Sequence, residues 1–137
     1  MTREELKSYK TYKRMEKEQL QLVEEMRRDV MFPKATTYDG MPHGSSGISD
    51  PMAEQIAAYL IRAEQYAQRA RECGDRCRRI EEAIDSLPVL EREICFLRYI
   101  RDRGWKEIAA RTQYSESAAM YHHRKALRWL EDMFPED

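Results

Sequence analysis

A local excess of positive charge in the last third of the chain is the feature best suited to chemistry. Eight lysine or arginine residues lie between Arg98 and Arg128, against three acidic residues in the same stretch. The whole chain carries a formal net charge of −1, so the excess is confined to this region. Clustered cations bind phosphate, and a basic block in a neutral chain is typical of a nucleic-acid-binding surface. A solvated helix face is the alternative interpretation.

Cysteine and histidine residues offer a second candidate, a zinc site built from Cys73, Cys77, His122 and His123. Three residues separate the cysteines rather than two, and adjacent histidines on a helix point about 100° apart. His122 falls on the inward side of its helix, which favours a packed histidine. Cys95 lies on an apolar helix face, where a thiol is a poor nucleophile. We predict no metal site and no cofactor.

Motifs of catalysis, export and membrane insertion are missing from the sequence. It contains no Gly-rich phosphate loop and no nucleophile elbow, so we predict that the protein is not an enzyme. No signal peptide and no run of 18 apolar residues is visible. Three cysteines do not make a disulfide framework. These features favour a reducing cytoplasm and no contact with a membrane.

The elements that would position the basic block are helices. Residues 3 to about 32 lack Gly and Pro, and their apolar residues recur every three or four positions. This pattern predicts one long N-terminal helix over 1–32. Residues 33–50 hold three of the five glycines and two of the five prolines, which indicates a linker. Asp50 and Pro51 then suit the start of another helix.

Residues 51–87 carry the most regular repeat in the chain. Apolar or small residues alternate at spacings of four and three, which is the a/d stripe of a heptad. Such a narrow stripe needs a partner helix, and the linker permits either an antiparallel, coiled-coil-like hairpin with residues 1–32 or an exchange with a second chain. The stripe consists of Met52, Ile56, Tyr59, Ala63, Tyr66, Ala70, Cys73, Cys77, Ile80, Ile84 and Leu87.

Residues 88–137 have the outline of a helix-turn-helix. Pro88 can begin a helix whose apolar face holds Leu90, Ile94, Leu97 and Tyr99 to Ile100. A short helix over 105–112, a turn over 112–115 and a helix that Ser115 caps and that runs to about residue 132 follow. We expect Ala119, Ala126, Leu127 and Leu130 to face inward, with Tyr99, Trp105 and Trp129 filling the core. The predicted fold class is all-α.

The arrangement over residues 86–132 resembles the promoter-reading region 4 of bacterial sigma factors. Gln113 stands where that family usually has Gly, and Glu116 and Ser117 replace the residues with which sigma factors read bases. Sigma-type reading of a promoter element is therefore not carried over. The resemblance rests on Leu87-Pro88, Glu91-Arg92-Glu93, Leu97-Arg98-Tyr99, Glu107-Ile108-Ala109, Ser115 and Lys125-Ala126-Leu127.

The whole chain is similar to phage-encoded transcription regulators of the RinA and ArpU kind. Like them it has a long first helix, a stretch with Met41-Pro42, a second long helix and a final pattern that includes Trp105, Tyr114-Ser115 and Lys125-Ala126-Leu127. The resemblance implies promoter binding at late or packaging-related genes, in the cytoplasm of a bacterial host cell.

Major-groove docking by the last helix divides the candidate site residues into two groups. Because Ala119, Ala126 and Leu130 are expected to face inward, the site residues of this helix are expected to face outward, and so is His123. The base-facing candidates are Glu116, Ser117, Met120, Tyr121 and Arg124. The phosphate-facing candidates are Arg101, Arg103, Lys106, Arg111, Lys125 and Arg128.

Double-stranded DNA is the expected partner, and the sequence leaves alternatives open. The module could instead be an adaptor that binds RNA polymerase and touches DNA weakly. It could also belong to a DNA-packaging component such as a small terminase subunit. The sequence also permits a homodimer through the N-terminal helices; a monomer or dimer would favour the regulator, and a large ring would favour the packaging component.

Overall fold

The computed structural model describes residues 1–31 and 51–136, which form helices joined by short turns. The predicted linker over 33–50, with the capping role of Asp50, lies outside these residues. The described part contains no β-strand, and the all-α prediction is confirmed. The helices are α1 (Arg3–Lys7), α2 (Tyr9–Met31), α3 (Pro51–Asp85), α4 (Val89–Cys95), α5 (Trp105–Thr112) and α6 (Glu116–Met133), with a π-helical segment (Phe96–Ile100) extending α4.

The predicted long N-terminal helix is present, but a one-residue break at Ser8 divides it into α1 and α2. Thr2 caps α1 by accepting a hydrogen bond from the backbone N–H of Glu5. At Ser8 the hydroxyl donates to the carbonyl oxygen of Glu5, and the backbone N–H is shared between the carbonyl oxygens of Glu4 and Glu5. A serine that bonds back to the preceding turn competes with helix propagation, and α2 begins one residue later.

Two compact units divide the described chain. The first unit combines Met1–Met15 with the chain from Cys73 onward, and the second comprises Glu16–Glu72. The long helices α2 and α3 each contribute to both units. The sigma-like module predicted over 88–137 thus shares its unit with the start of the chain and the end of α3.

In the second unit, the end of α2 lies beside the first half of α3. Met26 and Val30 of α2 and Tyr59 of α3 line a shared groove of about 370 Å³. The heptad stripe of α3 is half-buried at Tyr59, Ala63 and Tyr66 but exposed at Met52 and Ile56.

The core of the first unit joins residues that are far apart in sequence. Leu6 and Tyr9 pack in one apolar cluster with the end of the heptad stripe, and Leu6 is fully buried. Burial of a Leu or Ile side chain stabilises the folded state by about 1.5–3 kcal/mol, so the N-terminal segment contributes materially to this unit. Its other members include Cys77, Ile80, Ile84, Leu87, Cys95, Tyr99, Ala126 and Leu130.

A second cluster holds the helix-turn-helix together. Ile94 and Leu97 pack against Ile108 of α5 and Ala119 of α6, with Trp105 partly buried beside them. The inward positions predicted for Ala119, Ala126 and Leu130 are confirmed. Among the described helices, none is both long enough and apolar enough to cross a membrane.

Candidate nucleic-acid interface

The corner between α5 and α6 sets the direction of the last helix. Gln113 ends α5 in a left-handed conformation, with φ of 63° and ψ of 27°. Its backbone N–H and that of Tyr114 both donate to the carbonyl oxygen of Ala109. Ser115 then caps α6 by accepting a hydrogen bond of 3.1 Å from the backbone N–H of Ala118. A cap of this kind is worth about 1 kcal/mol, so the predicted corner is formed and stabilised at both helix ends.

The inner face of α6 includes a histidine, but not the one that the sequence pattern indicated. His123 is 4% exposed, whereas His122 is only half-buried. The prediction of an inward His122 and an outward His123 is therefore wrong. His123 follows Ala119 by four residues and precedes Ala126 by three, which is the spacing of a single buried helix face.

His123 belongs to a polar and aromatic group at the centre of the unit. Its Nε2 lies 2.5 Å from the hydroxyl oxygen of Tyr99, and the ring of Trp105 meets it edge-on at 4.8 Å between centroids. Burial, together with the positive charges of Arg3, Arg98 and Arg124, lowers the pKa of His123 to about 4. Burial raises the pKa of Tyr99 to about 12. The pair is therefore uncharged at neutral pH and ties the π-helical segment to α6.

His122 makes a separate connection on the flank of α6. Its Nδ1 lies 3.1 Å from Oε1 of Glu91, a glutamate of α4 that is only 8% exposed. The rings of Tyr114 and Tyr121 approach the same imidazole edge-on. The sequence analysis named Glu91 only as part of the sigma-like pattern and did not predict that it is buried. Its position three residues before the buried Ile94, on the same helix face, was the signal that could have indicated burial.

Trp129 departs from the core position predicted for it, because 45% of it is exposed. It lines an apolar groove of about 340 Å³ with Leu87, Pro88 and Ala126, and Glu91 and Lys125 complete the lining. The prediction that Trp129 fills the core is wrong. Ala126 and Leu130 supply the buried contacts of this turn instead, and Trp129 lies beside them on the helix flank.

The outer face of α6 presents a row of side chains to solvent. Ser117, Tyr121, Arg124 and Arg128 are exposed and recur at spacings of four, three and four, so they line up opposite the buried face. Over half of Tyr121 is exposed, at 56%. Of the other α6 candidates, Glu116 and Lys125 are exposed and Met120 is half-buried.

The four phosphate candidates that precede α6 are exposed as well, namely Arg101, Arg103, Lys106 and Arg111. Glu107 of α5 forms ion pairs with two of them, at 3.8 Å to Arg103 and 3.2 Å to Arg111. Exposed ion pairs of this kind contribute little to stability, so both arginines remain able to exchange the carboxylate for another anion.

The start of α5 faces open space. Gly104 occupies the position before the helix and supplies no side-chain cap, and a Cβ atom placed there would meet nothing within 4 Å. The first backbone N–H groups of an α-helix point outward without an internal partner and carry a partial positive charge. The N-terminus of α5 and the cations around it thus form one electropositive region.

A metal site does not emerge from the described residues, since none of their His, Cys, Asp and Glu side chains form a group of three or more that could hold an ion. Cys73 and Cys77 are buried on the seam of α3, as the spacing of the stripe predicts.

Comparison with known proteins agrees with this geometry. The family model described as sigma-70, region 4 matches residues 77–130, from the end of α3 to the last buried residue of α6. Neither curated proteins nor solved structures gave a significant match. Residues 77–130 of this all-α chain are therefore similar to sigma-70 region 4 and form a sigma region 4-like helix-turn-helix, which points to a DNA-binding regulatory function.

Proposed function

We propose that the chain is a sequence-specific transcription regulator that places the N-terminal half of α6 in the major groove of double-stranded DNA. The observation that carries this proposal is the exposed row of Ser117, Tyr121, Arg124 and Arg128 in a domain of the sigma-70 region 4 family. The second helix of a helix-turn-helix reads base edges through its outward side chains. Because α6 buries its opposite face in the core, this row is free to meet a duplex.

Base contacts are assigned to the side chains that begin the helix. Arg124 can donate two hydrogen bonds to the O6 and N7 atoms of guanine, and the Glu116 carboxylate can accept one from the N4 amino group of cytosine. Ser117 can bond to either kind of edge. Tyr121 and Met120 offer apolar surface to a thymine methyl group.

Phosphate contacts are assigned to the cations around this face, which fix the position of the domain on the duplex but do not read sequence. Arg101, Arg103, Lys106 and Arg111 surround the electropositive start of α5. Lys125 and Arg128 continue the positive charge along α6.

The biological target follows from the resemblance to RinA- and ArpU-type regulators. It supports a phage protein that controls late or packaging-related genes in a bacterial cytoplasm. Exposed apolar residues in the second unit, among them Leu20, Leu60 and Ile61, support a homodimer through the N-terminal helices. The mass of the protein in solution tests this assembly: a dimer agrees with the regulator, and a large ring would favour a packaging component.

A binding titration against duplex fragments of a candidate phage genome tests the main proposal. Arg124→Ala should weaken binding to the preferred fragment roughly tenfold, the loss of one good base contact. Arg92→Ala removes an exposed arginine of α4 and should leave the affinity nearly unchanged. Lys106→Ala should flatten the salt dependence by about one unit on every duplex. Equal affinity of the wild-type protein for all fragments would contradict sequence-specific reading.

An RNA-polymerase-binding adaptor is the second candidate, and the groove beside Trp129 favours it. Large, partly exposed aromatic residues in apolar pockets are frequent anchors of protein interfaces. If the groove binds the polymerase, Trp129→Ala should abolish capture of purified RNA polymerase in the absence of DNA, whereas Tyr121→Ala should not. If Trp129→Ala changes neither polymerase capture nor transcription from a bound promoter, this candidate is excluded.

A further inference from the structure

A basic cleft in the first unit lies outside all the residues assigned above to DNA contact. Its volume is about 140 Å³, and it is lined by Arg3, Lys7, Lys10, Arg98, Tyr99 and Asp102. We call it the N-terminal basic cleft. Three of its four cations come from the first ten residues of the chain, and the fourth comes from the π-helical segment.

The charges of this cleft favour an anion. The lining contains four cations and one carboxylate, that of Asp102. Nζ of Lys10 lies 2.8 Å from Oδ2 of this carboxylate. The hydrogen bond and charge of Lys10 lower the pKa of Asp102, so the carboxylate stays ionised and a net positive charge remains. Lys7 is tied only loosely, at 3.7 Å from the Glu4 carboxylate on its own helix. Exposed pairs such as these exchange readily for another anion.

The cleft adjoins the start of α5 through Arg98. The guanidinium of Arg98 lies 4.9 Å from the ring centroid of Trp105, the first residue of α5, and donates a hydrogen bond of 3.2 Å to the carbonyl oxygen of Arg103. Asp102 belongs to the same loop. The lining of the cleft is therefore continuous with the loop that carries Arg101 and Arg103 and leads to the uncapped N-terminus of α5.

We propose that the N-terminal basic cleft binds a phosphate group of the DNA backbone, next to the phosphates assigned to the loop and the start of α5. The proposal rests on the DNA-binding function proposed above and extends the footprint to residues that precede the sigma-70 region 4 domain. A helix-turn-helix meets the backbone on its first helix as well as the bases on its second. A free phosphate ion has the same chemistry, and the experiment separates the two sources.

Lys7→Ala is the test variant, because Lys7 lines the cleft and, among the described residues, its ion pair is the long contact of 3.7 Å to Glu4. Binding to the preferred duplex is measured from about 50 to 200 mM salt, where each lost phosphate contact reduces the slope of log affinity against log salt by about 0.9. We expect that reduction and a loss of roughly three- to tenfold in affinity at the low-salt end. The loss should be equal for specific and non-specific duplexes.

Arg78→Ala is the matched control, since Arg78 is an exposed cation that pairs with Asp75 three residues earlier on its own helix, as Lys7 pairs with Glu4. An unchanged slope for Lys7→Ala, or an equal change for Arg78→Ala, would overturn the assignment. Arg124→Ala is measured on the same duplex. Its loss of affinity tests the proposed major-groove contact of α6 and does not depend on the N-terminal basic cleft, so the two proposals can fail separately. Inorganic phosphate is titrated separately by NMR. If phosphate binding depends on Lys7 but Lys7→Ala leaves the slope of log DNA affinity against log salt unchanged, the assignment of a DNA phosphate to the cleft is also overturned.

Discussion

The hydroxyl oxygen of Tyr99 lies 2.5 Å from Nε2 of His123, and this contact joins the π-helical segment to the middle of α6. Both groups are uncharged at neutral pH and almost fully buried. A buried polar pair stabilises a fold only while both members remain satisfied. Tyr121 and Arg124 are exposed on one face of α6. The opposite, buried face is fixed by the contact between Tyr99 and His123, which requires the imidazole of His123 to be neutral.

Acid should destabilise the first unit through His123. The unfolded imidazole has a pKa near 6.5, whereas burial and nearby arginines lower the folded value to about 4. Between these values the unfolded state binds a proton that the folded state does not, so the free energy of unfolding falls as the pH is lowered from 6.5 towards 4. The loss should reach about 3 kcal/mol. Urea denaturation at several pH values measures it.

His123→Gln separates this effect from the titration of carboxylates. The variant keeps a hydrogen-bonding side chain beside Tyr99 but cannot gain a proton in this range. It should be less stable than the wild type at pH 7.5, and its stability should change less between pH 6.5 and 4. Parallel pH dependences of the two proteins would show that His123 does not carry the effect.

Gly104→Asp should stabilise the folded state of the first unit and weaken its binding to DNA. The backbone there has φ of −79° and ψ of 165°, which any residue can adopt, and a Cβ would meet nothing within 4 Å. An aspartate would cap α5 and stabilise the unit by a few tenths of a kcal/mol. Its charge would repel a backbone phosphate, so we expect roughly three- to tenfold weaker binding at low salt. Gly104→Ser caps without charge and should retain affinity, and equal affinities of both variants would argue against a phosphate at this position.

Gln113→Gly should stabilise the corner between α5 and α6. Gln113 adopts φ of 63°, and a left-handed conformation costs a residue with a Cβ about 1–2 kcal/mol relative to Gly. Because glycine also gains freedom in the unfolded chain, the net gain should be about 1 kcal/mol. Thermal unfolding monitored by circular dichroism measures the change, and an unaltered or lower midpoint would show that the Gln113 side chain offsets its backbone strain.

Leu6→Ala should destabilise the unit that contains the helix-turn-helix, although Leu6 is almost a hundred residues away in sequence. Leu6 is 0% exposed, and a buried Leu→Ala substitution costs about 2–5 kcal/mol. Leu20→Ala is the control, since that side chain on α2 is 52% exposed and its loss should cost well under 1 kcal/mol. Similar effects of the two substitutions on urea denaturation would contradict a shared core.

Local signals in the sequence predicted much of the fold. Pro51 and Ser115 mark helix starts where the structure has them, because caps and φ restrictions act within a few residues. The apolar spacing of α6 predicted three of its buried residues. DNA contact by Arg124 and the other candidates stays a prediction.

Features that depend on distant partners were not predictable in the same way. The inward turn of His123 is favourable only because Tyr99 and Trp105 supply contacts from other elements. Trp129 could have been core by composition, but Ala126 and Leu130 fill that space. The packing of Leu6 against residues near the other end of the chain has no signature in either segment alone, since an amphipathic stripe does not specify its partner.

The shared core of Leu6, Tyr9, Ala126 and Leu130 bears on how this chain can be recombined. A chimera that transplants only residues 88–137 would leave behind Leu6, Tyr9 and the end of α3, and would turn the apolar side of α6 towards water. Grafting experiments should therefore carry residues 1–15 together with everything from Cys73 onward, bridged by a new connection. In this protein the smallest transferable part that contains the helix-turn-helix is expected to be discontinuous in sequence.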